Sequence, residues 1–172
     1  MTRFSLTAAA ALFLTATSAL AHGYAAGDLE IDHPFAFETA QTAQTAGGFM
    51  TITNTGETAD RLLAVEADFP RVELHTTQMD GDIARMIHLE DGLEIPAGAT
   101  VTLQPGSFHV MFMGLGGDPF EVGEEVPATL VFQNAGRLDV VFNVEARAGD
   151  MHGGHDHSDH GDHGDHGDHG SD

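Results

Sequence analysis

The stretch RVELHTTQMDGDIARMIHLE, Arg71–Glu90, with FHVMFMG following at Phe108–Gly114, is where this chain declares its fold. Val72–Met79 and Asp82–Leu89 read as two strands. Asp80-Gly81 between them is a two-residue type I′ turn signal, because Asp-Gly readily supplies positive φ angles. That turn sets partner numbers to a sum of 161 and predicts His75 directly opposite Met86, with Cβ atoms about 5 Å apart. Alternation then puts Val72, Leu74, Ile87 and Leu89 on a core face and Glu73, His75, Met86 and His88 on an outer one. Packing alone gives a thioether little reason to lie on the outer face. His109 and Met111, two apart, also share one side of a strand, roughly 7 Å apart along it.

His and Met are thus presented twice, and no cysteine competes with them. Imidazole with thioether suits copper, and sulfur favours Cu(I) over Mg²⁺ or Ca²⁺. The competing explanation is ordinary: a single Met is more often core filler and a single His more often a surface residue. The two together on an outward strand face are what point to a metal.

Outward from this stretch, the pattern is strands and turns. Leu29–Ile31, Gly48–Thr53, Arg61–Ala67, Leu93–Ile95, Thr100–Leu103, Phe108–Met113, Ala128–Gln133 and Leu138–Glu145 are apolar or β-branched runs between Gly, Pro and Asn breaks. His22–Gly27 and Gln41–Ala46 read as loops. No sustained 3.6-residue period predicts a helix. Eight or nine short strands predict an all-β, antiparallel sandwich or barrel.

The ends differ from this core. Met1–Arg3, the apolar Phe4–Ala19 and the Ala19-Leu20-Ala21 cleavage site predict a signal peptide over 1–21, a core domain over 22–149, and export. No later run is long enough to span a bilayer, so no stable membrane insertion is expected. From Asp150 to Asp172 the chain is Asp, His and Gly, with His152, His155, His157, His160, His163, His166 and His169. With almost nothing apolar to bury, this tail is expected to be disordered and to bind Cu(II), Zn(II) or Ni(II) as a secondary site.

Composition excludes several functions. Asp and Glu number 27 against six Arg and no Lys, which repels nucleic acid and anionic lipid and gathers cations. Without Cys there is neither a disulfide framework nor a blue-copper centre, whose copper needs a thiolate. No nucleophile or general-base constellation accompanies the His and Met residues, so the chain does not read as an enzyme.

Val72-Glu73-Leu74-His75, Arg85-Met86, Pro105-Gly106 and His109-Val110-Met111-Phe112-Met113-Gly114-Leu115 resemble the PCuAC family of periplasmic copper chaperones. Thr51–Gly56 and Asp60-Arg61-Leu62 extend the likeness over Gly47–Arg147. The His-Met-His-Met spacing matches the family pattern, save for one extra residue between Leu89 and Phe108. The resemblance implies a cupredoxin-like, Greek-key β-sandwich that binds Cu(I) through His75, Met86, His109 and Met111. It also implies a periplasmic monomer that delivers copper to the binuclear copper centre of cytochrome c oxidase, alongside a thiol-bearing copper chaperone. The alternative is a copper or zinc buffer working mainly through its His-rich tail.

Overall fold

The computed structural model describes residues 23–147. The expected signal peptide, His22 and the His-rich tail from Asp150 lie outside the described residues, as do 148 and 149. Every regular element within them is a strand. In chain order these are β1 (Gly23–Ala26), β2 (Leu29–Phe37), β3 (Thr45–Asn54), β4 (Asp60–Glu66), β5 (Arg71–Asp80) and β6 (Ile83–His88). There follow β7 (Leu93–Ile95), β8 (Thr100–Leu103), β9 (His109–Met113), β10 (Glu125–Phe132) and β11 (Arg137–Glu145).

The strands hydrogen-bond in the order β6-β5-β9-β3-β2-β11-β10-β4-β7, with β1 added to β2 and β8 to β3. This sheet curls into a β-sandwich whose two layers share one core. Every ladder is antiparallel except β2 with β11, which run parallel, so the sheet is mixed. Strand alternation builds the core: Leu29, Ile31 and Ala36 from β2, Met50 and Ile52 from β3, and Val140, Phe142 and Val144 from β11 all point inward.

The sequence reading omitted β1, a strand of small residues. It is held by a hairpin whose two-residue loop is Gly27-Asp28, with Ala26 paired to Leu29 and Gly27 at φ +60°. β2 likewise runs past Pro34, because the register shift between Asp32 and Phe35 forms a bulge that needs no amide donor there.

The central hairpin differs from expectation in one respect. Asp80 pairs with Ile83, so the loop is Gly81-Asp82 rather than Asp80-Gly81. Gly81 has φ +62°, while Asp80 and Asp82 keep negative φ. This is a type II′ arrangement, in which glycine at the first central position spares Asp80 the left-handed conformation that type I′ would demand. Partner numbers accordingly sum to 163 rather than 161. His75 faces His88, and Met86 faces Thr77.

A shift of two preserves which face each side chain occupies. Leu74 is buried as expected, with Val72 and Leu89 partly so. Ile87 is not, because β6 is the edge of the sheet and every residue of it is exposed. Two variants test this face assignment through the midpoint of denaturant unfolding. Leu74→Ala removes a buried side chain and should cost about 2–5 kcal/mol. Met86→Leu, at a side chain 61% exposed, should change stability by no more than about 0.5 kcal/mol. The opposite ranking would mean that the strand faces are exchanged.

Candidate metal centre

Three neighbouring strands, β6, β5 and β9, carry the candidate ligands on one face. The β5–β9 ladder sets His75 opposite His109 and Glu73 opposite Met111, and the β5–β6 ladder sets His88 on the other side of His75. His88, His75 and His109 therefore form one row across the sheet. The ring of His75 lies 5.8 Å from that of His109 and 5.7 Å from that of His88, centroid to centroid.

The outer face was expected to be plain surface, but His75 and His109 are buried, at 9% and 5% relative exposure. Each ring has one nitrogen engaged and one bare. The Nε2 of His75 is 2.8 Å from Glu73 Oε2, and the Nδ1 of His109 is 3.0 Å from the carbonyl oxygen of Ser107. A carbonyl or carboxylate oxygen only accepts, so these two nitrogens carry the protons. The lone pairs then sit on His75 Nδ1 and His109 Nε2, both buried and both without a hydrogen-bond partner. A buried polar atom left unmatched costs about 1–3 kcal/mol. Two of them on facing imidazoles fit a metal with a preference for nitrogen.

Glu73 fixes the arrangement electrostatically. The hydrogen bond from His75 holds its carboxyl below the usual carboxylate range, against desolvation, and Arg71 adds to the effect with a guanidinium 3.3 Å away. The carboxylate stays anionic and keeps its neighbour's proton on Nε2. Such outer partners orient ligating imidazoles and raise their basicity. The sequence reading missed Glu73 and His88 as parts of the site. Their shared face with His75, which alternation alone gives, was the available signal.

The sulfur donors are placed unequally. Met111 is half-buried, two residues along β9 from His109 and on the same face. Met86 is exposed and two residues nearer the hairpin tip than His88. Ladder spacings put it about 10 Å from β9 across two strands and about 7 Å along. The structure thus brings His75, His109 and Met111 together and leaves Met86 apart on the hairpin arm. Met113 is occupied, its Sδ accepting from Arg71 Nε at 3.1 Å, and Met79 is exposed near the tip. Among the described residues no three His, Cys, Asp or Glu side chains are placed to share an ion. The sulfur of Met111 lies on the same face as the imidazole pair.

Known proteins resemble this chain over most of the described residues. The chain is 33% identical over 102 residues to a putative lipoprotein, Lxx21020, of Leifsonia xyli subsp. xyli; the alignment covers 59% of this chain and 61% of that relative's length. Among solved structures it is similar to a copper-bound PCuAC domain from PmoF2, at 30% identity and TM-score 0.58, covering 73% of this chain and 99% of that one. It is also similar to the solution structure of CuI-DR1885 from Deinococcus radiodurans, at 27% identity and TM-score 0.54, covering 76% of this chain and 85% of that one. A family profile described as putative lipoprotein LpqE-like matches residues 29–144, and the chain belongs to that family, which is the PCuAC family.

Proposed function

We propose that this protein is a copper carrier of the cell envelope, holding Cu(I) through His75 Nδ1, His109 Nε2 and the thioethers of Met111 and Met86. The observation that carries this is the pair of buried, unpartnered imidazole nitrogens on His75 and His109, which are directly paired across β5 and β9. Thioether beside them favours the monovalent ion. Solved relatives described as copper-bound and as CuI support the same metal.

The geometry suggests how a carrier takes up and releases its ion. Two imidazoles and Met111 form a platform on paired strands, while Met86 rides on an edge hairpin open to solvent. Closing the shell requires that hairpin to curl toward β9, and opening it frees a coordination position for a receiving ligand. We further propose a periplasmic location, delivery to the copper subunit of cytochrome c oxidase, and exchange with a thiol-bearing chaperone, as the family resemblance implies. The same metal-release logic assigns the protein no catalytic turnover.

Cu(I) titration of the processed chain, with the seven tail His replaced by Gln, tests the reading. It should bind one Cu(I), and X-ray absorption should show both nitrogen and sulfur scattering. Loss of all binding with the tail His would instead identify a buffer. Nitrogen and oxygen scattering alone would exclude the thioethers.

Two substitutions separate ligand from positioning residue. Met86→Leu should weaken Cu(I) binding while the apo-protein keeps its stability. Glu73→Gln removes the anionic acceptor that fixes the His75 tautomer, and should lower Cu(I) affinity about 10–100-fold with the strand signal in circular dichroism unchanged. An unaltered affinity in Glu73→Gln would mean that the tautomer is set elsewhere.

A further inference from the structure

The lone pairs of the copper platform are shut away from solvent. His75 Nδ1 and His109 Nε2 are both buried and without a partner. Cu(I) reaches a carrier already bound to some donor, and a donor-bound ion cannot be set directly on nitrogens that the donor cannot approach. It must be handed over by a group that solvent reaches and that borders the platform. His88 meets both conditions: it is exposed, it pairs with His75 across the β5–β6 ladder, and its ring lies 5.7 Å from the His75 ring, centroid to centroid.

His88 has a companion donor. Met86 lies two residues before it on the same face of β6, a thioether 61% exposed. Burial does not account for a thioether and an imidazole here, since every residue of β6 is exposed. β6 and β9 both run antiparallel to β5 and hence parallel to each other, so Met86 and His88 on one side of His75 step the same way as His109 and Met111 on the other. The five donors thus lie on one diagonal across three strands, in the order thioether, three imidazoles, thioether. Exposure falls inward along it, from Met86 and His88 to His75 at 9% and His109 at 5%.

The three imidazoles are not one site. His88 and His109 stand two strands apart, about 10 Å, and among the described residues no three His, Cys, Asp or Glu side chains are placed to share an ion. The row is two overlapping pairs, with His75 common to both. We propose that Met86 and His88 form the entry site for Cu(I), from which the ion passes by way of His75 to His109 and Met111. This rests on the Cu(I) carrier reading and adds to it the route by which the ion arrives. Met86 and His88 take the ion from its incoming donor at the sheet edge. The curl of the hairpin toward β9 then brings it, still on Met86, to His75 and His109, and His88 lets go. Each step is a ligand exchange in which one bond to copper forms as another breaks. The metal stays Cu(I) throughout, so no oxidant or reductant takes part. His88 is bound in neither end state, and its loss therefore slows uptake and release alike.

The test uses the processed chain with the seven tail His replaced by Gln. The Cu(I) complex of bicinchoninate is the donor, and stopped-flow absorbance follows the loss of its colour as the ion leaves it. Transfer back to excess bicinchoninate reads release. His88→Gln should slow both directions by the same factor, at least about tenfold, which corresponds to about 1.4 kcal/mol of barrier. His88→Met, which returns a soft donor to the same place, should recover both rates; a merely structural imidazole would not be replaced by a thioether. Unchanged rates in His88→Gln would overturn the proposal and leave the carrier reading standing. So would faster release with weaker binding, which would make His88 a resident ligand of the finished site. A parent chain that takes no Cu(I) from the chelator, even at equilibrium, would overturn the carrier reading and the proposal together.

Discussion

The rung joining His75 to His109 is the constraint on which the rest of the metal centre depends. Backbone pairing of β5 with β9 brings the two ring centroids to 5.8 Å, and one nitrogen of each ring is tied, to Glu73 and to the Ser107 carbonyl. With those protons fixed, the lone pairs on the other two nitrogens have no protein partner. An unmatched buried nitrogen is a cost to the apo-protein, of the same kind that a bound metal removes. The site is therefore built at the expense of local stability, and the core must offset it.

That core works mainly through β9 and β3. Val110 and Phe112 alternate with His109 and Met111, so the strand that presents ligands on one face drives its other face into the sandwich. Phe112 packs edge-on against Phe142 at 5.5 Å and also meets Phe69 and Phe120. Gly48 on β3 makes this possible: a Cβ there would lie 2.8 Å from the Phe112 ring and 3.0 Å from Phe142. At the other end of the sandwich, Asp60 accepts from the amides of Arg61, Asn134 and Ala135, tying the start of β4 to the β10–β11 turn. The packing on this side contrasts with β6, an edge strand paired only with β5, whose residues are all exposed. The proposed carrier role uses both, a platform that holds geometry and an exposed donor that can leave.

Much of this was legible from alternation. Leu74 inward, His75 and Met86 together on the other face of the hairpin, and His109 with Met111 on one side of their own strand follow from a period of two, which survives any even shift in register. The exact partner did not follow. Choosing Asp80-Gly81 as the loop places Met86 beside His75, whereas Gly81-Asp82 places His88 there. The two candidates differ by which residue takes positive φ, and glycine is the cheaper choice in the first central position. β1 was missed for a related reason: Gly23–Ala26 has little apolar signal of its own, and its pairing is dictated by the Gly27-Asp28 turn and by β2.

The sequence by itself determined the all-β class, the absence of any thiol, the face on which the His and Met donors lie and the family they resemble, because these depend on residue type and on local periodicity. Only the tertiary structure decided that β5 lies beside β9, that β2 and β11 run parallel, and that the imidazoles are buried while Met86 is not. Those outcomes arise from pairings between segments far apart in the chain. Nothing in a strand's own alternation states which neighbour it will take, or whether it will end at the edge of the sheet.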